Sequence, residues 1–165
     1  MPNLIIINKP FYSNPSSLQE VIPKYIYRKA HTYGGMSVDP QNAVEEMHLV
    51  KRLWLQMDGC QLKHFVLSFD DNEAAAYISG ASSLETIAYM ICEYFADEYQ
   101  VIFGVHKDSE RGKWHIHFVI NSVSYRTGRK YISNQRNDYA LRDYAYGVLP
   151  YRPIGVYYNH GHDNI

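Results

Sequence analysis

Three histidines lie in the stretch "GVHKDSERGKWHIHFVINSV", residues 104–123, and their spacing suits metal chemistry. A neutral imidazole offers a metal one ring nitrogen, and three on one surface make a centre with open coordination positions. In a strand, alternate residues share a face. His115, His117, Val119 and Asn121 then face one way, and Ile116, Phe118 and Ile120 the other. In the preceding apolar run, "QVIFGVH", Ile102, Gly104 and His106 share a face. The charged loop between the two runs is too short for a parallel crossover, so an antiparallel hairpin is expected. Pairing His106 with His115 sets Gly104 opposite His117, with opposed Cβ atoms about 4.5–5.5 Å apart. A glycine there leaves room for a metal or a phosphate; a slip of one residue would take His106 off this face. Such a centre does Lewis-acid work on a bound oxyanion. Zinc suits three imidazoles in isolation, whereas Mn2+ or Mg2+ suits phosphoryl chemistry. Asp108 and Asn121 are candidates to orient an imidazole, and serve equally well as a turn residue and a strand-end hydrogen bonder.

Tyrosine is the second chemical signal, with 16 copies in 165 residues. "IPKYIYRKAHT" sets Tyr25 and Tyr27 beside Arg28 and Lys29, a setting suited to a phosphodiester. A phenol, with a pKa of about 10, attacks phosphorus only when a metal or a base helps remove its proton. Tyr25 also follows Leu18 by seven residues on one helical face, which makes it a candidate core residue as well. Further along, Arg126, Arg129 and Lys130 form a basic segment able to hold phosphates. Tyr27, Tyr33, Tyr125 and Tyr131 are candidates to stack bases.

The elements that must position these groups follow from periodicity. "LIIIN" reads as a buried strand, and Leu18, Val21, Ile22 and Tyr25 as one face of a helix opened by Ser17-x-x-Glu20, a capping box. Pro23 should kink that helix near Ile22. "HTYGGMSVDP" reads as a loop, residues 42–57 as a helix, and "LKHFVLSFD" as a strand. A helix then starts near residue 82, with Leu84, Ile87, Ala88, Ile91 and Phe95 on one face. After the histidine hairpin come a turn at Thr127-Gly128 with a short strand, and a helix over "NQRNDYALRDYAYGV". The order β-α-α-β-α-β-β-β-α predicts an α+β fold, a mainly antiparallel sheet with helices packed on its faces.

Composition bounds the rest. The chain is long enough for one domain, expected over residues 1–150, with an irregular tail over 151–165. Cys60 and Cys92 have no metal or redox spacing and suit a reducing compartment. No apolar run reaches the length of a signal peptide or a membrane span, so the reading is a cytoplasmic protein with no membrane segment. Net charge is −1, but it is unevenly spread: residues 39–100 carry eleven acidic residues against three basic, and residues 105–152 carry nine basic against four acidic. A neutral chain of this kind still presents a basic face to an anion.

"HKDSERGKWHIHFVIN" resembles the third motif of conjugative relaxases, the MobP-like mobilisation nucleases of the HUH endonuclease superfamily: a histidine, His-x-His and a downstream Asn. "IPKYIYRKAHT" resembles their first motif, a tyrosine in a Tyr-aliphatic-x-Arg/Lys setting, and "LKHFVLSF" their intervening strand. The resemblance spans residues 14–145. It implies metal-dependent nicking and rejoining of single-stranded DNA at the transfer origin of a plasmid or integrative element. It also implies a covalent 5′-phosphotyrosine intermediate, with accessory relaxosome proteins as further partners. Carried onto this chain, it implies Tyr25 as the nucleophile, with Tyr27 as backup, and His106, His115 and His117 as ligands of Mn2+ or Mg2+.

Two other functions remain open at this point. Replication initiators and transposases of the same superfamily carry the tyrosine on a helix after His-x-His, where Tyr139 and Tyr144 lie. Their Tyr-x-x-x-Lys pattern is absent, since Asp143 and Val148 occupy the fourth positions. The non-enzymatic reading is a catalytically idle nucleic-acid-binding domain of the same fold.

Overall fold

The apolar runs that alternate or repeat as strands join into one sheet, and the helical runs cover both of its faces. The computed structural model describes residues 2–69, 81–107, 112–149 and 155–159. In chain order the elements are β1 (Asn3–Ile7), a 3-10 turn (Pro10–Ser13), α1 (Ser17–Val21), a π-helical segment (Ile22–Tyr27), β2 (Thr32–Met36), a second 3-10 turn (Pro40–Asn42) and α2 (Ala43–Leu53). There follow β3 (Leu62–Ser68), α3 (Ala81–Ala96), β4 (Val101–Lys107), β5 (Trp114–Asn121), α4 (Gln135–Val148) and β6 (Gly155–Asn159). The sheet order is β2-β4-β5-β3-β1-β6. Every neighbouring pair is antiparallel except β1 and β6 at one edge. The fold is α+β, as the order of elements predicts.

Strand alternation divides the core into two layers. Phe65 and Leu67 of β3, Phe103 and Val105 of β4, and Ile116, Phe118 and Ile120 of β5 pack under α3 and α4. Phe65 stacks on Phe118 with ring centroids 4.7 Å apart. The opposite layer joins Val66, Ile102 and Val119 to Leu18, Ile22, Ile26 and Met47 from α1, the π segment and α2. A fully buried side chain of this size stabilises the fold by about 1.5–3 kcal/mol. Lys63 of β3 reaches Asp138 of α4 at 2.8 Å, and both are buried. Asn134 caps α4 by accepting from the Asn137 amide at 2.8 Å.

Five local expectations are corrected. The helix does not simply kink at Pro23: α1 widens into the π segment. Proline lacks an N–H and its ring crowds the carbonyl of residue i−4, and a π turn relieves both faults. Ser17 makes no cap; its hydroxyl donates to Tyr12 O. "HTYGGM" is edge strand β2 rather than loop, paired with β4. Its Gly34 backbone lies so close to Phe103 that an added Cβ would be 2.9 Å from that ring. The close approach, not a turn, calls for glycine. The short strand near Lys130 shrinks to a single bridge with Val123, and residues 155–159 of the supposedly irregular tail form β6 against β1.

Candidate active site

The hairpin has the register that brings the three histidines together. His106 pairs with His115 and Gly104 with His117. One nitrogen from each of His106, His115 and His117 lies within 4.8 Å of the other two. Ring centroids are 4.5 Å apart for His106–His117 and 5.2 Å for His115–His117. His106 and His117 are buried and His115 is half-buried.

Hydrogen bonds orient the rings. His106 Nε2–H donates to Ile26 O at 2.8 Å, which places that ring's lone pair on Nδ1. His115 Nδ1 faces Lys113 O at 3.3 Å, which places its lone pair on Nε2. His117 Nε2 is buried with no hydrogen-bond partner. Burial also holds the rings neutral, pushing His106 down to about 4 and His117 well below the usual histidine value. Neutral imidazoles converging around an orphaned buried nitrogen are what a divalent cation requires, so these residues fit one.

Gly104 has another purpose than the one its spacing suggests. A Cβ there would strike Ile26 of the π segment. The glycine lets that segment settle onto the sheet and admits no ligand. Settling it brings Tyr25 to the histidines: its ring is edge-on to His106 and His117, with centroids 5.9 and 5.4 Å away. Lys29 Nζ lies 4.9 Å from the Tyr25 ring centroid, and Arg28 is exposed beside it. Burial raises the Tyr25 phenol above its ordinary pKa. Tyr27 turns away; its hydroxyl donates to Pro40 O at 2.7 Å and its ring stacks on Tyr33 at 4.1 Å.

Other expected site residues are not brought here. Asn121 does not orient an imidazole, and this corrects the reading from its place in the strand. Its Oδ1 accepts from buried Lys51, and its amide donates to Met47 O at 3.2 Å and Gln100 Oε1 at 2.9 Å. It ties β5 to α2, because a strand end facing a helix leaves polar groups to satisfy. Asp108 lies outside the described residues. Arg126, Arg129 and Lys130 are exposed but surround the bridge at Val123. That bridge lies six residues along the chain from His117, past the end of β5, at most about 20 Å away. Tyr131 packs with Phe95 and Tyr99, and the Tyr125 hydroxyl donates to Ala96 O. Tyr144 bonds Met90 O and lies, with Tyr139, on α4, across the sheet from the histidines. That position removes the geometric basis for a nucleophile on this helix.

The sequence reading missed His64 and Tyr12. His64 Nε2 lies 2.9 Å from His117 Nδ1, and His64 Nδ1 lies 2.7 Å from the Tyr12 hydroxyl. A signal was present: Leu62, His64 and Val66 alternate, so His64 faces one side of β3 with the apolar residues. Its partner was hidden because only the β3–β5 register, Val66 opposite His117, makes the two rings neighbours.

Comparison with known proteins places this geometry in a family. Two Staphylococcus aureus proteins, both called Protein rlx, are 28% identical over 132 residues and 29% identical over 111 residues. The aligned segments cover 75% and 67% of this chain but 40% and 32% of those proteins, so the chain spans less than half the length of these relatives. The fold is similar to that of the conjugative relaxase TrwC, solved metal-bound and in complex with oriT DNA: TM-score 0.51 at 10% identity, over 90% of this chain and 66% of that one. The family model for relaxases, described as the MobA/VirD2-like nuclease domain, matches residues 25–146, from Tyr25 through the histidine hairpin to α4. The chain therefore belongs to the relaxase family, as a MobA/VirD2-like nuclease domain.

Proposed function

We propose that this chain nicks and rejoins single-stranded DNA at a transfer origin, with Tyr25 as nucleophile and His106, His115 and His117 holding Mn2+ or Mg2+. The observation that carries the reading is the Tyr25 ring standing against two of three convergent neutral imidazoles. When bound, the cation lowers the cost of negative charge on the phosphate oxygens and of ionising a nearby phenol.

The chain's own residues do the rest. Tyr25 Oη forms a bond to the scissile phosphorus as the bond from phosphorus to the 3′ oxygen breaks. The phenolic proton is lost and the departing 3′ oxygen takes one up, leaving a 5′-phosphotyrosine and a free 3′ hydroxyl. One phosphodiester replaces another, so the reverse attack rejoins the strand without another energy source. Burial raises the Tyr25 pKa, so the phenol stays protonated until substrate and cation are in place. Lys29, over the ring, favours the phenolate and a nearby phosphate alike. Arg28 extends that positive edge, and Arg126, Arg129 and Lys130 hold DNA further from the nick. Work on a transfer origin implies a cytoplasmic setting and accessory relaxosome proteins. Among the described residues no helix is long and apolar enough to cross a membrane.

The test is incubation with single-stranded transfer-origin oligonucleotides and Mn2+, followed by a denaturing gel. A shifted, protease-sensitive protein–DNA band supports the reading. Binding without that band on any cognate strand would favour the idle binding domain.

A further inference from the structure

His64 and Tyr12 take no part in that chemistry, yet both are buried and joined in series to His117. A neutral imidazole has one N–H and one lone pair, so each bond in the series dictates the next. If His117 presents its Nε2 lone pair to a cation, its hydrogen must sit on Nδ1. The group there to receive it is His64 Nε2, at 2.9 Å. His64 then keeps its hydrogen on Nδ1 and donates it to the Tyr12 oxygen, at 2.7 Å. The opposite polarity runs from Tyr12 O–H to His64 Nδ1 and from His64 Nε2–H to His117 Nδ1. It leaves a buried His117 Nε2–H with no acceptor, because that nitrogen has no partner.

We propose that Tyr12 and His64 are positioning residues that set the His117 tautomer, holding hydrogen on Nδ1 and the lone pair on Nε2 so that the metal site is ready to bind. The proposal rests on reading His106, His115 and His117 as a metal site. A metal-bound histidine ordinarily gives its second N–H to a carboxylate, a carbonyl or water. Here a second imidazole takes that place, and a phenol takes the next. The relay itself adds no charge to the site. Binding also fixes the direction of the series, and Tyr12's own hydrogen is released beside a cavity of about 120 Å³ that Lys9, Phe11 and Tyr25 also line.

The test measures Mn2+ affinity by electron paramagnetic resonance for wild type, His64→Phe, His64→Gln and Tyr12→Phe, each checked for a cooperative melt. Loss of such an outer partner lowers metal affinity about 10- to 100-fold, and His64→Phe, which fills the space but accepts nothing, should fall in that range. His64→Gln, whose amide oxygen accepts from Nδ1–H, should recover most of the loss, and Tyr12→Phe should lie between wild type and His64→Phe. Nitrogen-15 spectra of the protein loaded with diamagnetic Zn2+ should show His64 and His117 both protonated on Nδ1. Affinity within twofold of wild type in a folded His64→Phe, or His64 protonated on Nε2 in the loaded protein, overturns the proposal alone. If His64→Phe does not fold, the spectra decide by the same criterion, and Tyr12→Phe with affinity within twofold of wild type also overturns the proposal. Failure of wild type to bind Mn2+ would instead overturn the metal-site reading, and this proposal with it.

Discussion

The Tyr25 ring meets His117 edge-on, with centroids 5.4 Å apart and planes at 86°. The contact joins the π segment that contains Pro23 to the centre of the sheet, and it separates Tyr25 from Tyr27. For reaction, the Tyr25 oxygen must come within about 3–3.5 Å of a held phosphorus. Tyr25→Phe removes only that oxygen. Adduct formation should disappear on a denaturing gel while oligonucleotide affinity persists. Tyr27→Phe should keep the adduct and lose about 0.5–1.5 kcal/mol of stability with the Pro40 hydrogen bond. The reverse outcome would make Tyr27 the nucleophile.

His115 is the most accessible of the three imidazoles, so His115→Ala is expected to keep the fold. Losing a Lewis acid worth several kcal/mol should slow nicking by about three orders of magnitude. Chelation of wild type should match that loss, and added Mn2+ should restore wild type only. A chelated wild type that nicks at full rate would rule out a metal-dependent step.

Arg126, Arg129 and Lys130 form an exposed basic cluster around the Val123 bridge, past the end of β5. Reversing all three charges should weaken single-strand binding and flatten its dependence on salt, by about 0.7 in log–log slope per lost phosphate contact. Adduct formation at saturating DNA should be spared. Unchanged affinity and slope would place the DNA path elsewhere.

Lys51 predicts a pH effect independent of the histidines. It is buried on α2 against Asn121, and burial lowers its pKa from 10.5 to about 7. The unfolded chain then binds more protons than the folded one between pH 7 and about 10, so stability rises with pH across that window. Urea denaturation from pH 7 to 9.5 should show the rise. Lys51→Met, which removes the titrating amine, should flatten it. An identical slope in the variant would mean that Lys51 stays charged in the fold.

The histidine hairpin was legible in the sequence because its information is local. Alternation assigns His106, His115 and His117 to one face, and the short loop limits the register. The same holds for α4 and for the α+β class, where periodicity and turn residues act over a few neighbours. Residues far apart in the chain are a different matter. Gly34-Gly35 looks like a turn until the Phe103 ring is seen to need the space, and Gly104 looks like room for a ligand until Ile26 fills it. Asn121 carries no local mark of whether it serves a metal or a helix; the packing of α2 gives it Lys51. His64 is one more histidine in a strand until β3 pairs with β5 and sets its ring 2.9 Å from His117. Sequence alone determined the three histidines and their common face. Which tyrosine ring stands against the histidines, and which groups hydrogen-bond each imidazole, was left to tertiary structure, because strand register and helix docking are settled by the collective packing of two core layers.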